Sequence, residues 1–257
     1  MCTCVPVYVL SDYNGLMTHV QLFITCIADS FYPQTGSAIV DIFHRLGIHV
    51  DFPRDQTCCG QPNFNAGLRN EARPIAEHTI KVFEKTDGDI VTPSGSCAHM
   101  LKHGYVELFA DDPIWLPRAQ ALASRIYEFT EYIVDRLGIT DLGAQWDGTL
   151  TYHPSCHTLR GMNIDRQPRA LLANVKGATI VELPNAEECC GFGGIFSMDH
   201  PELSAEWLKR KIGNLEKTEA PTLVVADSGC RMHIAGGLHR QKKKQRVVHI
   251  AEVLNNR

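Results

Sequence analysis

The chain has no apolar run near the roughly 20 residues that a membrane-spanning helix needs. Its longest unbroken stretches, such as Thr222–Ala226, are a fraction of that. It also lacks an excess of positive charge. A formal net charge of −4 leaves no general basic field, which argues against nucleic acid as a partner. The N-terminal residues show no basic stretch followed by an apolar core, so a cytoplasmic protein is expected, with membrane attachment only through partners. Glycine-rich nucleotide fingerprints, a Ser-His-Asp signature and an obvious flavin site are missing as well. So are the Cys-x-x-Cys knuckles typical of zinc modules. With 44% hydrophobic and 21% charged residues, what remains is an ordinary globular composition.

Cysteine is the exception, with ten in 257 residues. In a reducing compartment, clustered cysteines point to metal or redox chemistry rather than disulfides. Their arrangement is ordered. Cys58-Cys59-Gly60 recurs as Cys189-Cys190-Gly191, and each triplet sits in the same frame. One cysteine precedes it at the end of an apolar run (Cys26, Cys156), and one follows in a Ser-Gly turn (Cys97, Cys230). Equivalent cysteines are 130, 131 and 133 residues apart, a regularity that indicates internal duplication. The expected organisation is an N-terminal extension over residues 1–16, a first repeat with a linker helix over 17–143, and a second repeat over 144–257. Cys2-Thr3-Cys4 is read as a loose tail outside the repeats.

Short apolar runs alternate with segments of helical periodicity in both halves. Strands are expected at His19–Thr25, Ile48–Phe52, Asp89–Thr92, Thr149–Tyr152, Thr179–Leu183 and Thr222–Ala226, with helices between them. A long amphipathic helix is expected over Gln120–Leu137, and Val247–Leu254 closes the chain. This pattern predicts an α/β fold of two pseudo-twofold-related halves, each a small, mostly parallel sheet flanked by helices. All three cysteine positions of each half follow the C-terminal end of an expected strand. That edge is where open parallel sheets bind ligands, so distant cysteines can converge there.

Four thiolates per half match the donor count of a tetrahedral zinc or an iron–sulfur cluster. Adjacent cysteines fit a multinuclear cluster more easily than a single ion, and redox-active thiols are the remaining reading. The pattern Cys–(about 32)–Cys-Cys-Gly–(about 38)–Cys, present twice, resembles the cysteine-rich CCG domain family. That family includes the CCG-bearing component of heterodisulfide reductase and the iron–sulfur subunits of glycolate and glycerol-3-phosphate oxidation. The flanks Phe31-Tyr32-Pro33, Gly60-Gln61-Pro62, Ser94-Gly95-Ser96-Cys97 and Gly191-Phe192-Gly193-Gly194 most resemble its lactate-utilisation branch. The resemblance implies an electron-transfer subunit of a complex that oxidises L-lactate to pyruvate. Its partners would be a ferredoxin-type iron–sulfur subunit and a further subunit. Cys26, Cys58, Cys59 and Cys97 would hold one centre, and Cys156, Cys189, Cys190 and Cys230 the other. The fuller family pattern ends in Cys-x-x-Cys, whereas Ser94 and Asp227 occupy the first of those positions here. One or two simple 4Fe-4S clusters are therefore expected, with zinc in one site as a variant. The alternatives are a thiol–disulfide redox subunit like the heterodisulfide enzymes, or a zinc-stabilised non-catalytic subunit.

Histidines accompany the cysteines. His153 and His157 flank Cys156, and His99 and His233 follow Cys97 and Cys230; surface or supporting roles are expected for all four. Lys242-Lys243-Lys244, with Arg240 and Arg246, forms a compact basic stretch, read first as a solvated loop and second as a docking patch.

Overall fold

The structure, a computed structural model, describes residues 19–257. The extension over residues 1–16, with Cys2 and Cys4, lies outside the described residues. Two four-stranded sheets form, and every neighbouring strand pair in them is parallel. The first contains β1 (His19–Leu22), β2 (His49–Asp51), β3 (Asp89–Thr92) and β4 (Ile126–Glu128), in the order β2-β1-β3-β4. The second contains β5 (Gln145–His153), β6 (Lys176–Val181), β7 (Thr222–Val225) and β8 (Arg246–His249), in the order β6-β5-β7-β8. The two orders are the same, so the duplication seen in the cysteine spacing is a duplication of topology.

Two strands differ from expectation. The helix expected over Gln120–Leu137 is broken: Trp115–Ala123 is helical, β4 follows, and helix resumes at Phe129–Glu131 with a π-helical turn at Tyr132–Arg136. Likewise 246–249 is a strand before the helix Ile250–Asn255. Both are short edge strands. Ile126 and Tyr127 pair with Ile90 and Val91, and tertiary pairing overrides the helical periodicity of the flanks. Glu128 then starts the next helix, its carboxylate accepting from Thr130 N and Glu131 N while Glu131 returns the bond to Glu128 N.

One core joins the halves. Val20, Ile39, Ile42 and Phe43 of the first half pack with Leu150, Leu171, Ile250 and Leu254 of the second. The contact runs through central helices, Pro33–Arg45 on Ile250–Asn255 and Phe129–Glu131 on Arg166–Ala173. Arg231 crosses this seam, paired with Glu252, which accepts from Thr35 Oγ1 at 2.6 Å. The outer face of each sheet has its own core, one built around Phe83, Ile90 and Tyr105, the other around Ile212, Leu223 and Ile234. Cys59 and Cys97 lie in the first outer core, and Cys190 and Cys230 in the second. Among the described residues no helix is long and apolar enough to cross a membrane.

Candidate metal centre

The cysteine positions are held by local structure, and that around Cys97 and Cys230 and around the two triplet glycines repeats across the halves. Cys26 opens the helix Cys26–Phe31, capped by Thr25 Oγ1, which accepts from Ala28 N at 3.3 Å. Cys97 and Cys230 lie in the first turns of Gly95–His99 and Ser228–Arg240, capped by Ser94 and Asp227. Gln56 clamps the loop before the first triplet, accepting from Ile24 N at 2.9 Å and donating to Leu22 O at 3.0 Å. Tyr105 Oη, fully buried, donates to Cys59 O at 2.9 Å.

The glycine of each triplet is required by its backbone. Gly60 and Gly191 have φ of 80° and 93°, in the left-handed region. A Cβ on Gly191 would also stand 2.6 Å from the Ser204 carbonyl oxygen. This turn folds the glycine amide back onto sulfur: Gly60 N donates to Cys58 Sγ at 3.5 Å and Gly191 N to Cys189 Sγ at 3.3 Å.

The sulfurs of each half converge. Cys26 Sγ lies 3.7 Å from Cys58 Sγ, Cys59 Sγ 3.4 Å from Cys97 Sγ, and Cys190 Sγ 3.4 Å from Cys230 Sγ. The thiol–thiol contacts set opposite tendencies. Hydrogen bonding from Cys26 and Cys59 holds Cys58 well below the usual thiol range, and its contact with Cys58 pushes Cys26 up. Cys189 is lowered in the same way by Cys156 and Cys190, while Cys156 is raised. Each half thus favours a thiolate at the sulfur that also receives the glycine N–H.

All eight cysteines line one cavity of about 110 Å³ at the C-terminal edges of both sheets. Ser94 and Asp227, which stand where the fuller family pattern has cysteine, meet across the seam. Ser94 Oγ donates to Asp227 Oδ2 at 2.7 Å, and the same oxygen accepts from Ser96 N at 3.1 Å. The other carboxylate oxygen caps its own helix, accepting from Gly229 N at 2.9 Å. These two positions join the halves beneath the cavity.

The donor set fits a metal group. Neighbouring sulfurs 3.4–3.7 Å apart have nearly the spacing of thiolates on one tetrahedral ion, whose bonds of about 2.3 Å place sulfurs about 3.8 Å apart. A multinuclear cluster would take the same thiolates with the sulfurs moved apart by its own irons and sulfides.

The histidines divide. His157 Nδ1 lies 3.7 Å from Cys156 Sγ, and its ring packs 5.2 Å from that of His99 across the seam. His233 Nε2 lies 3.3 Å from Ser204 Oγ. His153 is not at the surface: it is fully buried, and one of its ring nitrogens comes within 4.8 Å of Cys190 Sγ and Cys230 Sγ. The sequence marked it only as a neighbour of Cys156. Lys211, which no local pattern sets apart from the other lysines of its helix, is fully buried in the middle of Pro201–Lys217, with Nζ donating to Ala186 O at 3.0 Å and Asn185 O at 3.2 Å. The basic stretch at 242–244 precedes the N-terminal end of β8, at the opposite edge from the cysteines, and Lys243 pairs with Glu216.

A parallel α/β sheet carrying Cys-Cys-Gly at its ligand edge, built twice, defines a class. The chain belongs to the cysteine-rich (CCG) domain family, whose pattern matches residues 20–102 and 150–235. Within it, the chain is 49% identical over 238 residues to lactate utilization protein A of Geobacillus sp. strain WCH70, covering 93% of this chain and 99% of that one. It is 46% identical over 240 residues to the protein of the same name from Exiguobacterium sp. strain AT1b, covering 93% and 98%. A putative Asp/Glu racemase from Yersinia pestis shares 11% identity at a TM-score of 0.37, covering 93% and 96% of the two chains, too distant to bear on function.

Proposed function

We propose that this chain is an iron–sulfur electron-transfer subunit of a system that oxidises L-lactate to pyruvate. The observation that carries the proposal is the placement of two four-thiol groups on one cavity. A structural zinc site usually replaces a missing core, whereas this chain builds three hydrophobic cores, each with many apolar side chains besides the cysteines. Cysteines at the mouth of a shared cavity suit a centre that must pass electrons outward: Cys26 is exposed and Cys59 and Cys97 are buried behind it. The lactate assignment comes from relatives 46–49% identical over 93% of the chain, each named lactate utilization protein A. A ferredoxin-type iron–sulfur subunit and a further subunit are the partners this role requires.

Bound clusters would supply one-electron storage, and the chain's residues do the rest. Cys26, Cys58, Cys59 and Cys97 hold one group, and Cys156, Cys189, Cys190 and Cys230 the other. The Gly60 and Gly191 amides direct N–H dipoles at sulfur, which withdraws charge from the thiolates. The sulfur spacing favours a second reading, one tetrahedral zinc in place of a cluster.

The test is the iron, zinc and sulfide content of anaerobically purified protein, with growth on L-lactate after gene deletion. Roughly four irons and four sulfides per occupied site, and failure to grow, are expected. Zinc without sulfide after anaerobic reconstitution would overturn the iron–sulfur role, and unimpaired growth in a strain with no second lactate system would overturn the lactate role.

A further inference from the structure

His153 is buried in a way that its neighbours do not explain. The ring is fully excluded from solvent, and neither nitrogen completes a hydrogen bond, although the ring lies near the Ala186 backbone. A buried imidazole without partners loses the hydration of both nitrogens with no return. One of its nitrogens instead shares a small volume with Cys190 Sγ and Cys230 Sγ, all within 4.8 Å of one another. Ligands of a single tetrahedral ion stand about 3.3–3.8 Å apart, given bonds of about 2.0–2.3 Å, so a small side-chain rotation closes the group.

The first half shows what this position does without such a role. His153 lies three residues before Cys156, and Phe23 lies three before Cys26. Phe23 is fully buried at the same strand end and packs on Phe83 at 5.8 Å between ring centroids. The fold therefore accepts a hydrocarbon here, and a structural role does not call for imidazole.

We propose that His153 supplies a nitrogen ligand to the metal held by the second half, so that the two centres differ in donor set. The first is bound by sulfur alone, the second by sulfur and imidazole. The proposal rests on the reading that the cysteines bind metal. His153 groups with Cys190 and Cys230, so it would take the place of one of the two other thiolates; a neutral imidazole there removes negative charge from a cluster and raises its potential, as in Rieske centres. The buried Lys211 ammonium on the same side acts in the same direction. The second centre is then the more easily reduced, and electrons collect there.

The test uses the full chain, purified anaerobically after labelling with 15N-histidine, with iron and sulfide counted first. Pulsed electron paramagnetic resonance of the reduced protein is expected to show one directly bonded 15N. His153→Phe, which copies the first half, should lose that coupling while keeping iron in the first half, and should bring two separate reduction potentials together. Clusters present without a bonded 15N in the wild-type chain would overturn the proposal without touching the iron–sulfur reading. A coupling that survives His153→Phe would assign the nitrogen to another residue, such as His157, with the same result. If no iron and sulfide assemble, the iron–sulfur reading fails on its own. Cobalt(II) loaded into the apoprotein then serves as the probe, and X-ray absorption should find nitrogen at the second site. All-sulfur coordination there would overturn the proposal.

Discussion

The two halves share a topology and a cysteine frame but surround their sulfurs differently. Around Cys59 and Cys97 the first half places hydrocarbon, with Phe23 at the end of β1 and Ile80 on the helix Arg69–Phe83. At the same offsets the second half has His153 and Lys211, both fully buried. Phe23 and Ile80 need no partners. Lys211 draws two backbone carbonyls to itself, and His153 is left facing thiols. Duplication thus preserved the positions of the donors while changing the field in which they sit. Groups placed this close to the donors tune the affinity and potential of a metal site.

The largest expected effect separates the halves outright. Cys59→Ser should empty the first site and leave the second, and Cys190→Ser the reverse, each seen as loss of about half the bound metal by elemental analysis. Loss of all metal from either variant would mean that the eight thiols hold one centre.

The triplet glycines come next. Gly191→Ala meets the Ser204 carbonyl at 2.6 Å on a left-handed backbone and should cost about 3 kcal/mol in chemical denaturation. Gly60→Ala meets the Ile75 side chain at 3.2 Å and the Ala72 carbonyl only at 3.8 Å, and should cost about 1–2 kcal/mol. Equal costs would remove this difference between the halves.

At the seam, His249 is fully buried, and Pro93 O lies 3.0 Å from its Nε2 while Nδ1 accepts from Ala251 N at 3.2 Å. Burial holds it neutral, with its pKa lowered from 6.5 to about 4. The unfolded chain therefore takes up a proton that the folded chain refuses. Stability should be unaffected above pH 6.5 and fall as pH drops toward 4, by up to about 3 kcal/mol from this group. Urea midpoints across that range, compared with those of His249→Asn, isolate its share; identical slopes would place the acid sensitivity elsewhere.

Lys211→Met, with an effect as small as that of Gly60→Ala, gives the second half an apolar side chain where the first has Ile80. Leaving the Asn185 and Ala186 carbonyls without their donor should cost about 1–2 kcal/mol in urea denaturation. The second centre's potential should also move toward that of the first. An unchanged potential would show that the ammonium is structural only.

Much of this arrangement was legible in the chain itself. The Cys-Cys-Gly frame and the near-constant offset between its copies set the duplication. The alternation of short apolar runs with helical periodicity set the parallel α/β class, because period and chain reach are local properties. The position of every frame cysteine after a strand also follows from local pattern. The edge strands β4 and β8 did not show, since three or four residues carry too little periodicity and only pairing with β3 and β7 makes them strands. Nothing local could say that both thiol groups face one cavity, that Ser94 and Asp227 bind each other 133 residues apart, or that His153 and Lys211 are buried. Those facts depend on how two sheets pack through their central helices. Residue order along one strand or helix holds no record of that packing, and it is the packing that decides which polar groups lose their water.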